Sequence, residues 1–356
     1  MSIRAAISGV GNCASALVQG VEYYRDVETS SEVPGVMHAY FGEYHIRDIE
    51  FVAAFDVSEL KIGRDLSEAI FAEPNCCARF SEVPETGVIV QSGPLLDGVD
   101  PKMLGAFHVD RVADPADVVG VLRESEADML INLLPVGSKE ATRFYAETSI
   151  EAGCAFVNCI PEFIVSDGSW AEKFIERGLP CAGDDVKSQL GATILHRAVA
   201  SLFDERGVKI DSTYQMNIGG NTDFLNMTEN GRLETKRISK TEAVKSLIPY
   251  DMPTRIGPSD YVSFLEDHKV CFIRVNGHGF GNLPMELDMK LKVCDSPNSA
   301  GIVIDVIRAA KIALDRGVSG PLTSISSYAF KHPPEQVPDH IARRWVEGFI
   351  EGRRER

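Results

Sequence analysis

Apolar residues along the first half of the chain come in short blocks. Arg4–Ser8, Glu50–Phe55, Gly87–Gln91, Met129–Leu133, Ala155–Asn158 and Pro180–Gly183 are mostly apolar runs long enough to cross the middle of a sheet. Between them, Ala14–Val21, Leu60–Phe71, Pro115–Glu126, Lys139–Ala152, Trp170–Arg177 and Gln189–Phe203 read as helices. Strands alternating with helices over short connections predict parallel pairing with helices on both faces. The pattern breaks after Phe203. From Asp211 onward strands alternate with strands, as in Thr213–Asn217, Val270–Val275 and Met285–Val293, which predicts an antiparallel second sheet. A strongly apolar helix, Ala300–Leu314, follows. The fold expected is therefore α/β, a Rossmann-like doubly wound parallel sheet with an inserted sheet-rich α+β domain. The expected division is 1–203, then 204–295 for the insertion, then 296–356 for helices returning to the first unit. Glu22 to Arg47 reads as a polar insertion, and Glu351–Arg356 as a disordered tail.

With 356 residues, 44% of them hydrophobic, the chain can build two domains or one with a large insertion. No run approaches the length of a membrane span, and the N-terminus has no basic-then-apolar leader, so a soluble, cytoplasmic protein is expected. The net charge of −16 disfavours nucleic acid or an acidic membrane as partner. An anionic ligand must then be held by a local group of lysines. The eight cysteines form no paired C-x-x-C sets and read as reduced core residues, neither a disulfide frame nor a zinc site.

Three turns carry candidate chemistry. Gly9-Val10-Gly11-Asn12-Cys13-Ala14 has the G-x-G-x-x-G/A form and joins a strand to a helix. Gly9 can make the sharp turn, Gly11 lets a pyrophosphate approach the backbone, and Ala14 lets the helix pack close. The acid expected about 20 residues on is missing. Asp56, closing the next apolar strand, is the candidate for the adenosine ribose, with a helix cap near Leu60 as its alternative; Asp65 is a second candidate. Leu133-Leu134-Pro135-Val136-Gly137-Ser138, with Tyr145 two helical turns on, is expected beside the nicotinamide half, or else is a plain structural turn. Gly183-Asp184-Asp185-Val186-Lys187-Ser188-Gln189 gathers two acids, a lysine and a hydroxyl at a strand-to-helix turn, where Asp185 or Ser188 could also be only a cap. Further on, Asn217 to Asp223 is a glycine-rich polar turn, and Lys236 and Lys240 are spaced to share a helix face. The alternative for the lysines is solvated surface.

Together with Ile256-Gly257-Pro258-Ser259-Asp260-Tyr261 and Asp295-Ser296-Pro297-Asn298-Ser299-Ala300-Gly301, these stretches resemble the inositol-3-phosphate synthase family in its compact bacterial and archaeal form. The resemblance implies an NAD-dependent homotetramer that isomerises a phosphorylated hexose, glucose 6-phosphate, to inositol 3-phosphate. The implied cycle oxidises C5, enolises at C6, joins C6 to C1 by an aldol step and reduces C5 again. It implies active-site residues Lys236, Lys240, Lys269, Lys331, Asp185, Asp223, Asp295 and Asn221. For the cofactor it implies Gly9, Gly11, Asn12, Cys13, Asp56, Asp65, Leu134, Pro135, Tyr145, Asp185, Ser188, Asp223 and Lys236. A monovalent or divalent cation near nicotinamide and phosphate also follows, with no ligand set. Local departures, such as Thr235 before Lys236 and Cys294 before Asp295, leave open a paralogue that closes a five-membered ring from fructose 6-phosphate. A plain NAD-dependent dehydrogenase and a nucleotide sensor are the readings from other classes.

Overall fold

The computed structural model describes residues 1–29, 33–99, 107–110, 113–227 and 234–356, without the side chains of 234–237 and 258. The first strands and helices are β1 (Ile3–Ser8), α1 (Asn12–Tyr23), the hairpin β2 (Tyr40–Phe41) and β3 (Tyr44–His45), β4 (Ile49–Asp56), α2 (Leu66–Ala69) and β5 (Val90–Ser92). Next come α3 (Val118–Glu124), β6 (Met129–Asn132), α4 (Lys139–Ala152), β7 (Ala155–Asn158), α5 (Gly168–Glu176), β8 (Pro180–Ala182) and α6 (Ala192–Glu205). A second group holds β9 (Lys209–Gly219), α7 (Thr222–Asn226), α8 (Glu234–Lys245), β10 (Thr254–Tyr261), β11 (His268–His278) and β12 (Pro284–Cys294). The chain ends with α9 (Asp295–Asp315), β13 (Gly320–Pro321), α10 (Thr323–Ala329) and α11 (Asp339–Ile350).

Among the described residues, seven strands form one sheet in the order β13-β8-β7-β6-β1-β4-β5, and every pair in it is parallel. Its central strands are buried on both faces, which is why they read as unbroken apolar runs. One face is covered by α1 and α9, with Ala16, Leu17, Ile302, Val303 and Ile307 in a common core; the other carries Phe55, Leu130, Phe156 and Phe174. Gly20 sits where these helices meet, since a Cβ there would lie 3.4 Å from Ile304 Cδ1. No helix among the described residues is long and apolar enough to cross a membrane.

The second sheet, β10-β9-β11-β12, is mixed and not antiparallel throughout: β11 runs against β9 and β12, but β9 and β10 are parallel. The chain between β9 and β10 passes through α7 and α8, and a helical crossover returns it in its original direction. Ala192, Val199, Phe203, Ile248, Ile273 and Val275 form the core between this sheet and its helices.

Other expectations change too. The helix expected over Leu60–Phe71 is reduced to Leu66–Ala69, because Gly63 turns the chain at φ +81° and Asp65 starts the helix afresh as its N-cap. The Glu22–Arg47 stretch is not a polar excursion. It buries Val33, Met37, Phe41 and Tyr44 with α9, and Arg308 ties its His38 and Ala39 carbonyls at 2.9 Å. Nor is the tail disordered. Ser324 Oγ donates to the Arg356 carbonyl at 2.8 Å, and the Arg354 guanidinium lies 4.0 Å from the Trp345 ring centroid.

Candidate active site

The carboxyl end of the large sheet faces one end of the second sheet, and a cavity of about 270 Å³ lies there. At its first end is the turn from β1 into α1. Gly9 has φ +91°, and a Cβ on it would lie 2.8 Å from the Leu133 carbonyl oxygen, so no other residue fits. Gly11 is the N-cap of α1 and has no neighbour within 4 Å of a built Cβ. An open glycine at a helix N-terminus is a cradle that fits the pyrophosphate of a dinucleotide.

The turn is fixed by side chains. Asp56 Oδ2 accepts from Val10 N at 2.7 Å, and its Oδ1 accepts from Val57 N and Ser58 N at 2.8 Å. Asp56 therefore lines the cavity and does not cap α2. Lys61 Nζ donates to the Val10 carbonyl at 2.7 Å and to Asn75 Oδ1 at 3.0 Å, 4.0 Å from Asp56 Oδ2. Burial lowers the Lys61 pKa, and Asp56 opposes that shift. Asn12 Oδ1 accepts from Cys76 N and Cys77 N at 2.6 and 3.0 Å. Cys13 faces the cavity with its Sγ 3.7 Å from Ser299 Oγ, its thiol pushed up to about 12 by burial.

Asp65 does not reach this place. Its carboxylate accepts from Ser67 N, Ser67 Oγ, Thr86 N and Thr86 Oγ1 at 2.6 to 3.1 Å, a helix cap and loop tie. Those bonds hold its pKa down to about 2, against the opposing effect of burial. Leu134 and Pro135 line the cavity beside the glycine turn. Tyr145 lines it too, but beside Asp56, not at the far end. Its hydroxyl occupies the space a Cβ of Gly93 would need, and its ring lies 6.0 Å from that of Phe55.

At the other end the sequence candidates converge. Asp185, at φ +62° and almost wholly buried, accepts from Lys331 Nζ at 2.8 Å and from Ser239 Oγ on α8. Lys331 also donates to the Val186 carbonyl at 2.7 Å. Lys269 Nζ donates to Asp295 Oδ1 at 3.1 Å and sits 5.7 Å from the Phe224 ring centroid. Asn221 caps α7 by accepting from Phe224 N at 3.2 Å. Ser188, Asp223 and Lys240 also line the cavity. Lys236 falls in the first turn of α8, and its side chain lies outside the described residues. Neither Asp185 nor Ser188 caps α6, whose N-cap is Gly191.

The other two charged residues of the Asp184 to Lys187 turn are structural. Asp184 accepts from Asn158 Nδ2 at 2.7 Å, Ser166 Oγ at 2.8 Å, and the Ile164, Val165 and Ser166 amides. Burial outweighs these bonds and pushes its pKa up to about 6. Lys187 joins Ser327 O and Asp339, and its pKa falls to about 8 through burial.

Sequence reading missed Lys61, Asn75 and Asp267. Asp267 accepts from Asn221 Nδ2 at 3.0 Å and Ser296 Oγ at 2.7 Å, bridging α7 to the start of α9. Burial raises its pKa. Its one signal was its place two residues before Lys269; Lys61 and Asn75 had none. Among the described residues, no group of three or more His, Cys, Asp or Glu side chains could hold a metal ion.

Residues 191–296 match the family model described as myo-inositol-1-phosphate synthase. The chain is 54% identical to the inositol-3-phosphate synthase of Mycolicibacterium smegmatis and 54% identical to that of Corynebacterium glutamicum, in each case over 98% of both chains. A crystal structure of a myo-inositol-1-phosphate synthase-related protein from Thermotoga maritima superposes with a TM-score of 0.83 at 28% identity, covering 99% of each chain.

Proposed function

The chain belongs to the myo-inositol-1-phosphate synthase family, and from that premise we propose that it converts glucose 6-phosphate to inositol 3-phosphate with NAD. The observation that carries the reading is one cavity that joins the open Gly11 turn to the Lys331–Asp185 and Lys269–Asp295 pairs. NAD, when bound, supplies a hydride acceptor for C5 and returns the hydride to the same carbon. Gly9, Gly11, Asn12, Cys13, Asp56, Leu134, Pro135 and Tyr145 would hold one part of it, and Asp185, Ser188, Asp223 and Lys236 the other.

The chain's own residues have electrostatic and proton-transfer work. Oxidation at C5, enolisation at C6 and closure onto C1 each build negative charge on a sugar oxygen. Ammonium groups held in fixed positions stabilise such charge more in the transition state than in the ground state. Lys331 and Lys269 are held that way by carboxylates; Lys240 of α8 lines the same end, and Lys236 belongs to the same helix. Asp185 and Asp295 keep the first two ammonium groups in place, while Asn221 and Asp223 present polar groups from the start of α7.

The domain division 1–203, 204–295 and 296–356, a homotetramer built through the second sheet, and a cytoplasmic location belong to the same proposal. Supporting the tetramer, β12 is an edge strand with much of its surface exposed, and the turn before it exposes Phe280 and Leu283. Near-full-length identity to curated inositol-3-phosphate synthases favours the six-membered ring over the five-membered one.

The test is incubation with glucose 6-phosphate, or separately fructose 6-phosphate, and a catalytic amount of NAD, with NMR of the product and absorbance of NADH. The expected result is inositol 3-phosphate from glucose 6-phosphate with no lasting NADH. Lasting conversion of the added NAD to NADH, with an oxidised sugar phosphate in matching amount, would make the protein a dehydrogenase, and a five-membered carbocycle from fructose 6-phosphate would make it the paralogue.

A further inference from the structure

Val10, the variable residue between the two glycines of the first turn, has both its backbone groups held by side chains. Its N–H donates to Asp56 Oδ2 at 2.7 Å. Its carbonyl accepts from Lys61 Nζ at 2.7 Å and from Asn75 Nδ2 at 3.1 Å. Lys61 is 1% exposed and lines the cavity with Asn75. These two donors come from the segment after β4, remote in sequence from the turn they hold. They also hold each other, through Lys61 Nζ and Asn75 Oδ1 at 3.0 Å.

A buried lysine needs a reason, because removing an ammonium from water is costly unless it is paired and hydrogen-bonded. Here the pairing is loose, at 4.0 Å from Asp56, while the tight contact is to a neutral carbonyl. That carbonyl belongs to the Val10–Gly11 peptide, which is trans. In a trans peptide the C=O and the next N–H point in opposite directions. Fixing the Val10 carbonyl therefore fixes the direction of the Gly11 N–H, the group a dinucleotide pyrophosphate meets at this kind of turn. The ammonium also sets a positive charge beside Asp56, whose carboxylate would otherwise repel that dianion.

We propose that Lys61, seconded by Asn75, is a positioning residue for the cofactor's pyrophosphate, acting through the Val10–Gly11 peptide. This rests on the reading of the turn as an NAD site. It adds a requirement that the glycine pattern does not state: the turn is competent only when its central carbonyl is clamped.

The test is titration calorimetry of the full-length protein with NAD and with ADP-ribose, which keeps the pyrophosphate and lacks nicotinamide. A hydrogen bond to a charged donor corresponds to about a tenfold to hundredfold change in affinity. Lys61→Met should weaken both ligands by about tenfold or more. Asn75→Ala, losing a neutral donor, should weaken both by about threefold. Because both act on one carbonyl, the double variant should lose less than the product of the two factors. A purely structural Lys61 would lower the melting temperature and leave both dissociation constants at their wild-type values, which would overturn the proposal. Should Lys61→Met fail to fold, Asn75→Ala decides alone, and unchanged affinity there overturns it equally. Wild-type protein that binds neither ligand would instead refute the cofactor reading, and this inference with it.

Discussion

Replacing Lys331 by Met tests separately the structural and the proposed catalytic role of its ammonium group. Lys331 Nζ lies 2.8 Å from Asp185 Oδ1, with side-chain exposures of 13% and 1%. Taking away the cation removes one positive partner of a buried carboxylate, a loss of up to about 3–5 kcal/mol for pairs of this kind. In a chain of this length that is a drop of several degrees in melting temperature. If Lys331 also stabilises an oxyanion, turnover should fall by about a hundredfold to a thousandfold at saturating NAD and glucose 6-phosphate. Adding Asp185→Asn removes the buried charge that Lys331 faced. The double variant should therefore regain melting temperature and none of the turnover. The assay is thermal melting by intrinsic fluorescence beside NMR-quantified product formation. Near-normal turnover in folded Lys331→Met would refute a catalytic Lys331. Joint recovery of stability and rate in the double variant would show that the lysine acts only by supporting the fold.

Asp56 should enforce NAD over NADP, because its carboxylate would meet a 2′-phosphate; Asp56→Asn should narrow the ratio of the two affinities by calorimetry, and an unchanged ratio would remove Asp56 from that role. Asp65→Asn should leave NAD affinity unchanged. Because the folded pKa of Asp65 is held near 2 against an ordinary 3.8, its stabilising effect is present above about pH 4 and fades as pH falls toward 2, so the variant should show a flatter acid limb in melting temperature. His196 is buried between Thr213 Oγ1 at 2.8 Å and Gln215 Oε1 at 3.3 Å, and burial pushes its pKa down to about 4 from 6.5. The unfolded chain takes up that proton first, so about 3 kcal/mol present above pH 6.5 should drain away toward pH 4. His196→Gln should lose that part of the pH dependence, and identical acid limbs in the two proteins would contradict it.

The large sheet was legible because its strands are buried on both faces and its connections are short. Lys139–Ala152 was found to the residue, bounded by Ser138 at one end and Gly153 in the left-handed region at the other. The second sheet was legible as strands but not in direction, since the crossover through α7 and α8 has no apolar periodicity that announces it. Asp185 was singled out from its strand-to-helix turn and Lys331, Lys269 and Asp295 through the family resemblance, while their pairing depends on distant segments brought together by α8, α9 and α10. Asp65 misled because an acid shortly after the strand that ends at Asp56 looks the same in sequence whether it faces a ribose or caps a helix. Lys61 stayed hidden for the converse reason. A lysine in the first turn of the expected helix Leu60–Phe71 reads as solvated, and only the fold places it under the Val10 carbonyl.

The pairing of the lysines with acids bears on how the site can work in a chain of net charge −16. Unpaired lysines in a cavity would repel one another and hold any passing anion. Lys331 and Lys269 instead each meet a carboxylate, Asp185 and Asp295, so the two pairs add little net charge. Their donors are nevertheless fixed in direction, since both acids are anchored to other parts of the fold: Asp185 by Ser239 of α8, and Asp295 by its amide, which donates to the Asp267 carbonyl at 2.8 Å. The orientation of the ammonium groups is thus settled during folding and need not be settled again during reaction. Such an arrangement favours rate over ground-state affinity, because a fixed dipole or cation gains most where charge develops. Loss of either lysine should accordingly lower turnover more than it weakens substrate binding. Steady-state kinetics of Lys269→Met and Lys331→Met would measure this as a fall in kcat with KM close to wild type, and a raised KM at unchanged kcat would refute it.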